Sequence, residues 1–199
     1  MEKSRLFNVK NIVGTAILVA VEVILQLIGM IIPTPVTVNL SLVPITIGAI
    51  LFGPISGGFL GIISGLIILL TPNTVTLFMA ISPVGTVITC LTKTMFAGVI
   101  AGLAYVPFKN KNMKMIGVII ASILVPLINT FVFSIWCLIF FIDGLNQMGF
   151  DLHSYWAIFT GFIGFNFILE IIANTIVTPS IYKAIDASSN KYNREAIKE

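Results

Sequence analysis

The chain has 199 residues, of which 57% are hydrophobic and only 10% are charged, with a formal net charge of +3. This composition lies far from that of soluble domains and indicates one integral membrane domain, residues 1–199, embedded in a lipid bilayer. The net charge does not indicate a nucleic-acid partner, because membrane topology decides where basic residues lie. The two cysteines fall inside apolar segments and are interpreted as small core residues rather than a disulfide.

Apolar segments separated by turn or polar residues predict an all-α membrane protein, a bundle of six transmembrane helices. The predicted spans are residues 11–32, 40–52, 55–70, 82–106, 115–142 and 154–181. Gly53-Pro54 divides a stretch without charged residues into the second and third spans. Both are short for a full crossing, so we expect neighbouring helices to shield them or the segment to be partly re-entrant.

The connections between the spans have distinct compositions. The predicted connections are a strand or lid at residues 35–39, a loop at 71–81, a basic connector at 107–114, a polar loop at 143–153 and a charged tail from 182. Within the spans, Gly57, Gly61 and Gly65 form a strip suited to close helix packing. Pro126 is expected to kink the fifth span and to free the carbonyl of Ser122.

The basic residues predict the orientation of the bundle. With six crossings, all of them except Lys93 fall on one side, which the positive-inside rule assigns to the cytoplasm together with both termini. These residues are Lys3, Arg5, Lys10, Lys109, Lys111, Lys114, Lys183, Lys191, Arg194 and Lys198. The opposite side carries Asp143, Asp151 and His153.

Lys93 lies near the middle of the fourth span. A lysine at the centre of a bilayer costs roughly 2.5–3.5 kcal/mol and usually faces a bundle interior, a partner or a ligand. Helical spacing places Thr86 and Thr89 on about the same face. The residue pattern leaves two interpretations open, a ligand site at Lys93 or an ion pair with Glu170 or Glu22.

Three other spans carry polar side chains at helical spacing, and these are expected to converge inward. They are Glu22 with Gln26, Asn129 with Phe133 and Trp136, and Asn166 with Glu170 and Asn174. For Asn129 and Asn166 we favour contact with a ligand. For Glu170 and Asn174 we favour a network that holds the helices together.

The sequence contains no recognisable catalytic arrangement, and we expect a protein that is not an enzyme and has no cofactor or metal. Its single histidine excludes a histidine metal cluster. It has neither a phosphate-binding loop of the Gly-x-x-x-x-Gly-Lys-Ser/Thr type nor a Gly-x-Ser-x-Gly turn.

Two motifs carry a resemblance to a known family. The first span contains Ala16-x-x-x-Ala20, and residues 42–60 read LVPITIGAILFGPISGGFL, including Phe52-Gly53-Pro54 and Gly57. Together with the six-span layout, these motifs resemble the substrate-binding S component of energy-coupling factor (ECF) vitamin transporters. The resemblance implies that Ala16 and Ala20 dock a transmembrane coupling subunit, whose close approach small residues permit.

The same resemblance implies a vitamin pocket in the outer half of spans four to six, capped by the loops at 33–39 and 71–79. Two cytoplasmic ATPase subunits would be separate chains, and the protein would lie in the bacterial cytoplasmic membrane. The candidate substrate-binding residues are Lys93, Asn129, Asn166, Trp136, Asn39 and Thr76.

A cation with amides and few tryptophans favours a flexible carboxylate, and pantothenate is the best match among the vitamins of this family. Riboflavin is second, and nicotinate, folate and a pyridoxine-type ligand stay open. Two other classes also stay open, a self-sufficient secondary transporter and a membrane protein with a purely structural role.

Overall fold

A computed structural model describes residues 9–31, 39–109, 113–147 and 164–196, and all regular structure in these ranges is helical. These ranges contain seven α-helices. They are α1 (Val9–Ile31), α2 (Leu42–Phe52), α3 (Pro54–Leu69), α4 (Pro83–Tyr105), α5 (Lys114–Phe140), α6 (Ile142–Gln147) and α7 (Gly164–Ala196). A π-helical segment, Thr74–Met79, precedes α4, and a short 3₁₀ turn, Val106–Phe108, follows it.

The helices have the lengths and composition of a multi-pass membrane protein. Within the described residues, α1, α4, α5 and α7 are long and apolar enough to cross a bilayer, whereas α2 and α3 are shorter apolar helices of 11 and 16 residues. The all-helical prediction is therefore confirmed. The number of six crossings and the cytoplasmic position of the termini stay predictions.

Both ends of the first five predicted spans agree with the observed helices to within two residues. Three connections were predicted wrongly. Residues 74–79 are π-helical rather than a loop, residues 142–147 form α6, and α7 continues to Ala196 through the predicted tail. A polar, charged segment can continue a helix that is already formed, because propagation costs far less than nucleation. Residues 35–38, 148–153 and 154–163 of the predicted lid, loop and sixth span lie outside the described residues.

The glycine strip of α3 sets its spacing from α4, as predicted. A Cβ atom added at Gly57 would lie 2.7 Å from the carbonyl oxygen of Gly98, and one at Gly65 would lie 2.5 Å from that of Cys90. The backbone of α4 therefore occupies the volume that side chains would need. The Thr94 hydroxyl donates to the Gly61 carbonyl at 2.5 Å. This hydrogen bond holds α4 against α3 at the residue that follows Lys93.

Pro126 frees the Ser122 carbonyl in α5, and α7 supplies the missing donor. Asn174 Nδ2 donates to the Ser122 carbonyl at 2.8 Å and to Thr46 Oγ1 at 2.9 Å, while the Thr178 hydroxyl donates to Asn174 Oδ1 at 2.8 Å. We call these four residues, Thr46, Ser122, Asn174 and Thr178, the closed network. It joins α2, α5 and α7, and it agrees with the predicted helix-holding role of Asn174.

Side-chain contacts show that successive long helices run in opposite directions. Gly14 of α1 lies against Phe52 at the end of α2, Gly102 of α4 lies against Pro54 at the start of α3, and the Tyr105 and Tyr182 hydroxyls are 3.1 Å apart. The start of α1, the end of α4 and the start of α5 therefore lie at one end of the bundle. We call this the basic end, because Lys109 and Lys114 lie there.

Candidate functional site

A cavity of about 380 Å³ lies toward the other end of the bundle. Its walls come from α1, the segment before α2, the end of α3, the π-helical segment, α4, α5 and α7. The lining residues are Gln26, Asn39, Ile68, Thr71, Asn73, Thr74, Thr76, Leu77, Phe78, Lys93, Asn129, Thr130, Phe133, Asn166, Phe167 and Glu170. Ligand pockets for small molecules typically measure about 300–1,000 Å³, so this cavity lies near the small end of that range.

The structure brings five of the six predicted substrate-binding residues together around this cavity: Lys93, Asn129, Asn166, Asn39 and Thr76. Trp136 is not among the lining residues. Its indole N–H donates to Thr92 Oγ1 at 2.8 Å, and its ring stacks on Phe140 with centroids 5.3 Å apart. The Trp136 side chain therefore packs between α4 and α5 beside the cavity.

The Lys93 ammonium points at the face of Phe133, 5.1 Å from the ring centroid. A cation–π contact contributes about 0.5–2 kcal/mol, which offsets only part of the cost of a lysine at this depth. No salt bridge within 4 Å involves Lys93 in the described parts of the chain, so the alternative of a direct ion pair with Glu170 or Glu22 is not observed. The ammonium has three donors and retains capacity for an acceptor in the cavity.

Glu170 lies in the wall of the cavity on α7. One of its carboxylate oxygens accepts the backbone N–H of Asn39 at 3.2 Å, and its carboxylate also interacts with the Asn129 side chain and with the charge of Lys93. These contacts tie the segment before α2 to α5 and α7. Glu170 therefore both holds helices together, as predicted, and lines the cavity, which the prediction missed.

Three lining residues have buried polar atoms without a hydrogen-bond partner. They are the acceptors Gln26 Oε1 and Asn129 Oδ1 and the donor Asn39 Nδ2. A buried polar group without a partner costs about 1–3 kcal/mol, and such groups are uncommon in folded proteins. The residues that carry these three atoms line the cavity together with Lys93.

The π-helical segment forms the wall that closes the cavity beside α3. The Thr71 hydroxyl contacts Thr74 Oγ1 at 2.8 Å, and Thr76 donates to the Pro72 carbonyl at 2.9 Å. Phe78 packs edge-on against Phe133, with centroids 5.8 Å apart and planes at 83°. π-Helical turns often occur at functional sites, and Thr74, Thr76 and Phe78 of this one line the cavity.

The sequence analysis missed several lining residues. Thr71, Asn73 and Thr74 were assigned only to a capping loop, although clustered polar residues between apolar spans are a usable signal. Thr86 and Thr89 share the helix face of Lys93, but their hydroxyls donate to the carbonyls of Ser82 and Gly85 in their own helix. They do not line the cavity.

A second candidate surface lies on α1. Ala16 and Ala20 are exposed, as are the large apolar residues Ile12, Ile17 and Ile24 on the same helix. The two alanines therefore do not pack inside the chain, and they form a shallow step on an apolar face.

Comparison with known proteins gives one match. A family model described as "ECF transporter, substrate-specific component" matches residues 10–182, which is most of the chain. Neither a search of curated proteins nor a search of solved structures returned a match.

Proposed function

The chain belongs to the substrate-specific components of ECF transporters, and we propose that it captures pantothenate in the cavity beside Lys93 for uptake across the bacterial cytoplasmic membrane. Members of this family are substrate-binding membrane subunits, and ATP hydrolysis belongs to partner subunits.

The observation that carries the proposal is the set of unpaired groups around the cavity. Pantothenate has a carboxylate, a secondary amide and two hydroxyl groups. The carboxylate would pair with Lys93, the hydroxyl groups would donate to Gln26 Oε1 and Asn129 Oδ1, and an oxygen would accept from Asn39 Nδ2. Thr76 and Asn166 would complete the polar wall.

Riboflavin is the second candidate and fits less well. A large flat ring prefers aromatic side chains stacked parallel to it. The face of Phe133 is already taken by Lys93, and Phe78 stands at 83° to Phe133, so these two rings do not form a parallel clamp. The small cavity volume also favours a compact ligand over riboflavin or folate.

The test is to purify the chain in detergent and identify by mass spectrometry the small molecules that remain bound. We expect pantothenate, and equilibrium binding of radiolabelled pantothenate should then be competed by unlabelled pantothenate but not by riboflavin or nicotinate. Lys93→Met should weaken binding about tenfold or more, because it removes a desolvated charge partner. Retained affinity in a folded Lys93→Met variant would remove Lys93 from the site, and recovery of another vitamin would replace pantothenate.

For the partner, we propose that Ala16 and Ala20 dock a helix of the transmembrane coupling subunit, with two ATPase subunits completing the transporter. Small residues let helix backbones approach closely, and a tryptophan there would hold them apart. Ala16→Trp or Ala20→Trp should abolish uptake and co-purification of the partners while leaving pantothenate binding intact. The matched control is Ile123→Trp, at an exposed position on α5. Loss of pantothenate binding in the alanine variants would instead indicate an internal packing role.

A further inference from the structure

One carboxyl group contacts several of the residues that the proposed function places around the vitamin. Glu170 of α7 lines the cavity, and its Oε1 accepts the backbone N–H of Asn39 at 3.2 Å, although the two residues are 131 positions apart in the chain. The Asn129 side chain on α5 also hydrogen-bonds to this group, and the Lys93 charge on α4 acts on it. Three proposed binding residues from three separate elements therefore interact with Glu170.

Asn39 depends on this contact more than the other two residues, because it does not lie on a helix. Its carbonyl accepts the Leu42 N–H at 3.3 Å, and its side-chain oxygen accepts the Ser41 hydroxyl, so both of these bonds stay within one turn of the chain. Among the described residues, the bond to Glu170 is the hydrogen bond that joins Asn39 directly to an element distant in the chain. Without it, this turn would keep the 2.6 Å contact between Ser41 Oγ and Ser64 Oγ of α3, which does not involve the Asn39 backbone.

Helix packing does not require a carboxyl group at position 170. An ionisable side chain inside a transmembrane helix is costly and usually has a functional role. The outer face of α7 carries the exposed side chains Ile168, Ile172 and Ile176, whereas Glu170 is only 6% exposed and lies on the cavity side. An apolar residue would fill the same volume without the cost of desolvation, but it would offer Asn39 no acceptor.

We propose that Glu170 is a positioning residue of the vitamin site, which holds Asn39 in the cavity wall before the ligand binds. A ligand that finds its site already ordered loses less affinity to the ordering of the protein. In this role Glu170 acts through Asn39, so an acceptor oxygen is required at position 170 but a negative charge is not. The role rests on the proposed function for its ligand, whereas the contact itself can be tested without any vitamin.

The first test is hydrogen–deuterium exchange of the ligand-free chain in detergent, measured by mass spectrometry at the Asn39 amide. Glu170→Met and Glu170→Gln form a matched pair, because both keep the length of the side chain and only glutamine keeps an acceptor oxygen. We expect Glu170→Met to raise the exchange rate of the Asn39 amide about tenfold or more, because the bond that protects this amide is lost. Glu170→Gln and the control Ile172→Leu, at an exposed position of α7, should exchange like wild type.

Equal exchange at Asn39 in wild type and in Glu170→Met would overturn the proposal. Should Glu170→Met fail to fold, the wild-type chain decides. Slow exchange of its Asn39 amide before any ligand is added supports the proposal, and exchange as fast as that of an unstructured amide overturns it.

The second test is equilibrium binding of radiolabelled pantothenate. We expect Glu170→Met to weaken binding about tenfold and Glu170→Gln to stay within about threefold of wild type, because the second variant keeps the acceptor for Asn39. In an Asn39→Ala background, Glu170→Met should weaken binding by less than about threefold, since the side chain that it positions no longer contributes. An equal loss in both backgrounds would show that Glu170 acts on the vitamin independently of Asn39, and would overturn the positioning role. If the wild-type chain does not bind pantothenate, the proposed vitamin is wrong, and the exchange experiment alone decides whether Glu170 positions Asn39.

Discussion

Asn174 and Asn129 are both buried asparagines of the bundle, yet their surroundings differ. Asn174 donates to Thr46 and to the Ser122 carbonyl and accepts from Thr178, so its amide is fully used by the protein. Asn129 lines the cavity and has an oxygen without a partner. The same type of side chain is therefore fully hydrogen-bonded within the protein at position 174 and only partly hydrogen-bonded at position 129.

The two asparagines illustrate how structural polar groups inside a membrane differ from ligand-binding ones. Both kinds are buried and both show helical spacing, so depth and periodicity do not distinguish them. The count of satisfied donors and acceptors does, because hydrocarbon offers no water to complete a partial set. In the closed network the protein completes the set, whereas at the cavity Asn129 and Gln26 each keep an oxygen without a partner.

The largest effect is expected from a change that disrupts the packing of α3 on α4, on which both the closed network and the cavity depend. Gly61→Leu should cost more than about 4 kcal/mol of unfolding free energy or prevent folding, because its Cβ would strike the Thr94 backbone and the Thr94–Gly61 hydrogen bond would be lost. Chemical denaturation in detergent, or the yield of monodisperse protein, measures this. The control is Ile62→Leu at the next, exposed residue, which should behave like wild type. Normal stability of Gly61→Leu would disprove close packing of α3 on α4.

Asn174→Leu should be the next most damaging change. The Ser122 carbonyl, which Pro126 leaves without its helical donor, would stay buried without a partner, and the Thr178 hydroxyl would lose its acceptor. We expect a loss of about 2–4 kcal/mol of unfolding free energy. Asn174→Asp tests the donor specifically, since the carboxylate keeps an acceptor for Thr178. A stability loss below about 1 kcal/mol for Asn174→Leu would show that the closed network contributes little.

Asn129→Leu should have the opposite effect, a small loss of stability and a clear loss of affinity for pantothenate. It removes an unpaired acceptor from the cavity wall, and this relief partly offsets the loss of one contact to Glu170, so we expect a loss of about 1–2 kcal/mol of unfolding free energy, less than for Asn174→Leu. Affinity for pantothenate should fall about tenfold, which corresponds to about 1.4 kcal/mol. Isothermal titration and thermal unfolding of the same preparation separate the two effects. If Asn129→Leu destabilised the protein as strongly as Asn174→Leu, the distinction between the two regions would fail.

The smallest effect is expected at Thr76. Its hydroxyl already donates to the Pro72 carbonyl, and the residue is exposed, so it offers a ligand only an acceptor at the margin of the cavity. Thr76→Val should change pantothenate affinity by about threefold or less, because weak contacts at a rim contribute little. Thr76→Ser, which keeps the hydroxyl, is the comparison variant. A loss larger than that of Asn129→Leu would move the centre of the binding site toward the π-helical segment.

Sequence periodicity predicted the fold well where apolar composition decides it. The ends of α1 to α5, the glycine strip and the role of Pro126 follow from helix length, small residues and a missing backbone donor, all of which are local properties. The π-helical segment and α6 were missed because polar residues between spans look like a loop whether or not they are helical. The length of α7 was missed because its polar end resembles a tail.

The candidate site was predictable only in part. Polar side chains in apolar spans indicated Lys93, Asn129 and Asn166, because their cost in a membrane is visible in the sequence. Trp136 shares the helix face of Asn129, but it lies one turn beyond Phe133 and contacts Thr92. Helical periodicity predicts the face that a residue occupies but not which residue of a neighbouring helix it contacts. The contact between Asn39 and Glu170 joins residues that are far apart in the chain, and only the folded structure reveals it.

The glycine contacts between α3 and α4 also restrict how the cavity can open. Two helices whose backbones touch along several turns slide or separate only at the cost of every such contact, so they behave as one rigid plate. Entry and exit of a ligand therefore require movement on another side. The cavity walls with the least coverage are α1 and α7, which leave most of their surfaces uncovered, and the π-helical segment lies at the edge of the plate.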